Sequence, residues 1–304
     1  MAIRQITIVG TGLVGGSLAL ALRKYGFRGT IIGCDRQPVL ARAKRLRAID
    51  AGVLDPGKAC RGSDIVVLAT PVSAIIDLIE KLAPALSRTT LVTDVGSTKQ
   101  AIVQSALTAF GTDAPRRFLA GHPMAGKEHS GIEFADSQLF QDASWFFTPL
   151  AGQDPNRGRG AEYVDWIKRI GARIAILDPA EHDQLCAWIS HVPQMLATTL
   201  AATLVEVYGG RAPLLKTGGR ALREMTRISA SPYSMWRDIA LTNKKHLANA
   251  LLKLEQELAH IRENLDTRAL QEVFARAHQL RASKTQVSRP RKTSAQPRSR
   301  LRTN

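Results

Sequence analysis

The sequence predicts an α/β protein in which a Rossmann-type, doubly wound parallel sheet is followed by an all-helical second domain. Three observations predict it. Short β-branched runs alternate with helical patterns through the first half, a glycine-rich turn follows the first of those runs, and no strand pattern recurs after residue 178.

The first run, residues 5–10, enters the turn Gly10-Thr11-Gly12-Leu13-Val14-Gly15 directly. Further strands are expected at 30–35, 64–69, 91–95, 118–121, 145–148 and 173–177, with helices between them. Asp178 and Pro179 read as a helix N-cap and first-turn proline. The helix they open, 180–208, is apolar on almost every side, which calls for burial in a bundle or in an interface with a second copy. A homodimer is therefore expected. Gly209 and Gly210 end that helix, and a later one, 236–265, carries ordinary amphipathic spacing. Beyond 280 the chain is Arg, Ser, Pro and Lys with little to bury, so a disordered basic tail is expected. The expected division is 1–179, 180–280 and 281–304.

At 304 residues and 44% hydrophobic, the chain can bury two cores. Its apolar runs, such as 65–71, stop short of the ~20 residues a bilayer crossing needs. No secretory n-region or cleavage pattern precedes the glycine turn, so a cytoplasmic protein without membrane association is expected. Cys34, Cys60 and Cys186 are odd in number and unrelated in spacing, which points to reduced thiols and to neither a disulfide framework nor a metal site, and Cys34 and Cys186 sit in apolar surroundings. The net charge is +16, and eight of its basic residues lie in 281–304 with no acid among them. What is left suits an enzyme of anionic ligands, and that tail has no aromatic residue with which to stack nucleic acid.

In the glycine turn, backbone N–H groups and the positive end of the following helix can receive a pyrophosphate. Gly10 permits the turn, Gly12 the approach of the phosphates, and Gly15 the close packing of helix on strand. Asp35 ends the second strand 20 residues beyond Gly15 and can accept both ribose hydroxyls, which favours NAD. Arg36 beside it keeps NADP as the lesser choice. Leu13, Val14 and Thr70, the last just past the third strand, complete the expected cofactor-binding set.

Residues 94–99 and 121–126 leave the carboxyl ends of strands and should rim one crevice. Ser97 and Thr98 read equally as helix caps. His122, held between Gly121 and Pro123 at a strand end, is a candidate base, because neutral imidazole takes a hydroxyl proton at physiological pH. His129, His182, His246, His260 and His278 fall on expected loops or polar helix faces and read as surface residues.

Taken together, ITIVGTGLVGGSLALAL (6–22), VTDVGSTK (92–99), GHPMAGKEHSGIEFAD (121–136), HDQLCAWISHVPQMLA (182–197) and EMTRISASPYSMWRDI (224–239) resemble the prephenate and arogenate dehydrogenase family of tyrosine biosynthesis. The resemblance implies a nucleotide-binding domain, a helical dimerisation domain, and a small-molecule substrate, prephenate or arogenate, that is oxidised and decarboxylated with NAD. By the same resemblance His122 is the catalytic histidine and Ser97 orients it. Ser190 and Gln194, one helical turn apart, line the substrate pocket, and Arg227 grips a substrate carboxylate. Many prephenate-using relatives carry histidine where this chain has Gln194, so prephenate, arogenate or both remain open. Trp236 and Met235 read as core. Two other readings are a β-hydroxyacid-type dehydrogenase, for which Lys216 is the nearest catalytic lysine, and an NAD-sensing nucleic-acid-binding protein that uses the basic tail.

Overall fold

The computed structural model describes residues 2–209 and 216–287. One eight-stranded sheet carries the first half: β1 (Gln5–Val9), β2 (Thr30–Cys34), β3 (Ala51–Val53), β4 (Ile65–Leu68), β5 (Leu91–Asp94), β6 (Phe118–Pro123), β7 (Ser144–Thr148) and β8 (Arg173–Ile176). Their order is β3-β2-β1-β4-β5-β6-β7-β8, and every neighbouring pair is parallel except β6 with β7. The order reverses between β1 and β4, where open α/β sheets bind ligands beyond the carboxyl ends of their strands.

Both faces of the sheet are covered, which is why β4, Ile-Val-Val-Leu, is buried at all four positions and reads as a continuous apolar run. On one face α1 (Leu13–Lys24) packs Leu18 and Leu22 with Ile6, Ile8, Trp145 and Phe147. On the other, α4 (Val72–Leu82) and α5 (Gln100–Phe110) pack Ile75, Ile79 and Ile102 with Val66, Leu68 and Phe118. The sheet is completed by α2 (Gln37–Arg45), α3 (Pro56–Ala59), α6 (Ala114–Arg117) and α7 (Gly158–Arg169). The strand β3 has no counterpart in the sequence reading; three half-buried residues at a sheet edge leave no period to detect.

The second half is helical, as expected, but its helices are interrupted. In place of one helix over 180–208, α8 (Pro179–Cys186) runs through a π turn, Ala187–His191, into α9 (Val192–Tyr208). Pro193 explains the interruption, because it has no N–H to close an ordinary helical bond in the preceding turn. The cap expected at the start of α8 is present, with Asp178 accepting from Ala180 N–H, and Glu181 reaches back to complete a capping box that the sequence reading did not include. The end is also as expected, with Gly209 left-handed at φ 68°. After α10 (Gly219–Thr226), the expected helix over 236–265 is two, α11 (Tyr233–Thr242) and α12 (Lys244–Glu263). They part at Asn243, whose buried amide turns inward to the Asp183 carbonyl at 2.7 Å.

Contacts gather residues up to Ala250 into one compact unit and those from Leu251 onward into a second. In the second unit, the end of α12 is followed by α13 (Arg268–Val287), and Arg276 and Glu257 pair across the two. Helix therefore continues to Val287, seven residues past the point where disorder was expected, and the rest of that tail, 288–304, lies outside the described residues. Among the described residues no helix is long and apolar enough to cross a membrane.

The close seat of α1 on β1 depends on Gly15: a Cβ there would stand 2.0 Å from the Gly10 carbonyl oxygen and 2.9 Å from Ile8. Gly12 has nothing within 4 Å of where its Cβ would go. Gly15→Ala should therefore destabilise the fold by about 1–3 kcal/mol, lowering the melting temperature by about 2–6 °C, whereas Gly12→Ala should melt with the wild type. Equal melting of all three proteins would show that α1 does not pack as described.

Candidate active site

Beyond the carboxyl ends of β1, β4, β5 and β6 lies an open cavity of about 560 Å³. Its floor is the start of α1, Leu13 and Val14, with Thr70, Gly96 and Ser97 beside it and His122 to Gly126 along one wall. The two segments expected to rim one crevice do so. The first turn of α1 has no side-chain cap and no acidic residue, so its N–H groups and positive dipole end remain available to an anion. Gly12 leaves open space there, and the buried hydroxyl of Thr70 on the cavity wall has no hydrogen-bond partner among the described residues. Both features fit a dinucleotide pyrophosphate crossing this turn. Asp35 at the end of β2 accepts from Thr11 N–H at 2.8 Å and from Arg36 N–H at 2.7 Å, which fixes a carboxylate with lone pairs to spare for ribose hydroxyls. The Arg36 side chain is exposed at the start of α2.

His122 does not sit at the mouth of the crevice, as its sequence position implied. It lies inside β6, opposite Phe146 of β7, and is buried to 7% exposure. Its Nδ1 is 2.8 Å from Nε2 of His182 on α8, and His182 Nδ1 is 2.9 Å from Asp183 Oδ1. The same Asp183 caps α5 from outside that helix, accepting Lys99 N–H at 2.7 Å and Gln100 N–H at 3.0 Å. Ser97 and Thr98, read as possible caps, are not the caps of α5; Thr98 bonds Thr242 at 2.8 Å.

Burial, then the neighbouring His182, Lys99 and His191, holds His122 well below the ordinary imidazole pKa. Burial likewise lowers His182, opposed in part by its bond to Asp183. Burial works to raise Asp183, but the bonds from His182, Gln100 and Lys99 outweigh it and keep the group a carboxylate. The site at neutral pH is therefore two neutral imidazoles and one carboxylate.

The other expected site residues are only partly brought together. Ser97 and Ser190 line the cavity with His122, although among the described residues no hydrogen bond joins Ser97 to His122. Gln194 does not line it. Ser190 belongs to the π turn and Gln194 to α9 beyond, so the expected helical spacing fails, and the Gln194 amide is buried against Thr198 and the Ile228 carbonyl. Arg227 lies outside the cavity wall and pairs with Glu128. Lys216 is exposed and apart from the cavity.

His129 is exposed on a loop, as expected, and also lines the cavity. Three residues were misread in the sequence: His182 is fully buried, not at a surface, and Trp236 and Met235 line the cavity rather than serving only as core. No local pattern distinguishes these, because each owes its position to an element distant in sequence. Cys186 is buried, but against imidazole rather than in apolar surroundings, its thiol 3.4 Å from His182 Nε2 and its pKa pushed up to about 12 by burial. The nitrogens of His122 and His182 and this sulfur lie within 4.8 Å of one another.

A nucleotide-binding α/β enzyme with a buried histidine in the cavity at the cofactor turn is the class that fold and site define. Residues 18–176 match the model of the prephenate dehydrogenase nucleotide-binding domain, and 178–279 that of the prephenate dehydrogenase dimerization domain. The chain belongs to the prephenate dehydrogenase family. It is 33% identical to a prephenate dehydrogenase of Lactococcus lactis over 91% of this chain and 77% of that one. It is 32% identical to one of Bacillus subtilis over 88% and 72%. The crystal structure of the Aquifex aeolicus prephenate dehydrogenase with hydroxyphenyl propionate and NAD+ superposes with a TM-score of 0.82 at 30% identity, covering 95% of this chain and 99% of that one.

The buried histidines make stability depend on pH in a defined window. His191, beneath the site, is held at about 4 by burial, against 6.5 when exposed, so between these values the unfolded chain binds more protons than the folded one. Its contribution, about 3 kcal/mol, is present above pH 6.5 and lost as pH falls toward 4; His122 and His182 act in the same direction. The urea midpoint should stay level from pH 8 to 7 and fall below pH 6.5, before the carboxylates begin to titrate. A midpoint that holds constant down to pH 4.5 would contradict this protonation assignment.

Proposed function

We propose that this chain oxidatively decarboxylates prephenate to 4-hydroxyphenylpyruvate in tyrosine biosynthesis, with NAD as the hydride acceptor. One observation carries the reading: a buried, neutral His122 shares a cavity with the uncapped N-terminus of α1. The N–H groups at Gly12, Leu13 and Val14 would hold the pyrophosphate, with Gly10 and Gly15 shaping the turn. Thr70, whose hydroxyl has no partner among the described residues, would donate it to the cofactor, and Asp35 would take the ribose hydroxyls and repel a 2′-phosphate. NAD, when bound, accepts the hydride that leaves the ring carbinol carbon.

His122 Nε2, the ring nitrogen not engaged with His182, takes the proton from the carbinol oxygen. As C–H and O–H bonds are lost there, the ring carboxylate departs as CO2, and its bonding pair makes the ring aromatic and returns charge to the ring oxygen, which takes the proton back from His122 to give the phenol. Ser97 and Ser190 position the ring from opposite segments of the wall. For the carboxylates of prephenate the chain offers Lys127 on the wall and, next to Glu128, Arg227. Since Glu128 occupies Arg227, a substrate carboxylate reaches this guanidinium by displacing it. Gln194 acts on the pocket from behind, by holding the Ile228 carbonyl.

We place residues 1–179 in the cofactor role and 180–280 in substrate binding and pairing of two copies. A homodimer accounts for the apolar side chains that α8, the π turn and α9 leave open, Leu185, Trp188, Ile189, Val205, Val207 and Tyr208. Three buried, unpaired thiols support a cytoplasmic location.

In an absorbance assay at 340 nm, prephenate with NAD should give NADH and CO2, with arogenate and NADP run in parallel as poorer alternatives. His122→Asn should lower kcat by about 10²-fold or more and leave NAD binding near normal. Turnover by the variant at the wild-type rate would remove His122 from the chemistry.

A further inference from the structure

From the hydrogen-bond chain that ends on His122, we infer that His182 and Asp183 are positioning residues, fixing the His122 proton on Nδ1 so that Nε2 presents a lone pair to the substrate. The inference rests on the proposed role of His122 as base and adds what makes it one. The proton on each nitrogen follows from the acceptor at the far end. Asp183 is committed by two backbone donors, Lys99 and Gln100, and by a carboxylate charge, so it has only acceptor capacity to offer His182. The Nδ1 of His182 must therefore carry the hydrogen. A neutral imidazole has only one, which leaves His182 Nε2 as an acceptor.

Facing it at 2.8 Å, His122 Nδ1 must donate. The one lone pair left on His122 is then at Nε2, and His122 is a wall of the cavity. A free histidine has no such constraint, and the wrong tautomer at this position would present N–H to the substrate hydroxyl and could accept nothing. When the proton arrives, the imidazolium of His122 is stabilised through His182 by the buried charge of Asp183, as in the acid–histidine pairs that orient other bases. The remaining groups against the ring leave this order intact. Cys186 is a neutral thiol 3.9 Å from Nδ1, Phe146 is apolar, His191 is neutral, and the charge of Lys99 is bonded to Asp94 and the Gly121 carbonyl.

The test compares His182→Leu with His182→Gln, using ¹⁵N-histidine NMR to read the His122 tautomer, with His122→Asn for assignment. Leu removes the acceptor. Gln keeps the polarity, because its amide N–H₂ can donate to Asp183 while its carbonyl accepts from His122. In the wild type, His122 should show a protonated Nδ1 and a lone pair on Nε2. His182→Leu should lose that preference and about 10²-fold in kcat, with NAD affinity unchanged, while His182→Gln should retain the tautomer and stay within about tenfold of wild type. A wild-type His122 with its proton on Nε2 would overturn the inference, as would a folded His182→Leu variant turning over within threefold of wild type. If His182→Leu does not fold, the wild-type tautomer decides alone. If prephenate is not turned over at all, the proposed function fails while the NMR measurement still decides the tautomer.

Discussion

The site depends on one buried ion pair, Lys99 with Asp94, both fully enclosed where β5 gives way to the loop before α5. Regular pairing of β5 with β6 stops at Thr93 and Leu119. Past that point the strands are held by these two side chains: Asp94 accepts the Gly121 N–H at 3.1 Å, and Lys99 donates to the Gly121 carbonyl at 2.6 Å. A buried charge pair gains little net stability over apolar packing, but removing one partner strands the other and typically costs about 3–5 kcal/mol. What the pair provides here is position. Gly121 immediately precedes His122, so the backbone that carries the base is clamped on both its N–H and its C=O.

Lys99 also closes the circuit from the other side. Its own N–H binds Asp183, Asp183 binds His182, and His182 binds His122, so the hydrogen bonds that leave Lys99 through side chain and backbone meet again at the same imidazole. The helical segment is thereby tied to the sheet at the point of chemistry. Asn243 adds a second tie, from the break between α11 and α12 to the Asp183 carbonyl, and Asp238 of α11 accepts the Ser73 N–H at the start of α4. A satisfied polar network in a site of low dielectric is stiff, and a base within it needs little reorganisation when charge develops.

Legibility in the sequence followed the range of the interaction responsible. Strands buried on both faces, the glycine turn and the Asp178 cap are local patterns, and each was readable. The three-residue β3 was not, nor was the break at Asn243, since a helical period continues through it in the sequence, while the local signal of Pro193 was passed over within the apolar run 180–208. His122 was found, but as a residue at a strand end; its burial comes from α8 lying over β7, which no local window contains. His182 was read as a surface residue for the same reason, because the polar residues around it in α8 mark an exposed helix face until Asp183 and His182 meet α5 and β6. The spacing of Ser190 and Gln194 misled because it assumed an uninterrupted helix, and the π turn separates them.

What unites these features is a histidine built to be neutral and singly oriented, next to a helix terminus built to hold an anionic cofactor. The most direct measurement is a high-resolution crystal structure of this chain with NAD and a 4-hydroxyphenyl ligand. The account predicts the pyrophosphate against Gly12, and the ligand hydroxyl within hydrogen-bond distance of His122 Nε2 while Nδ1 still faces His182. A hydroxyl bound elsewhere, or a His122 ring turned away from His182 to meet it, would contradict the account.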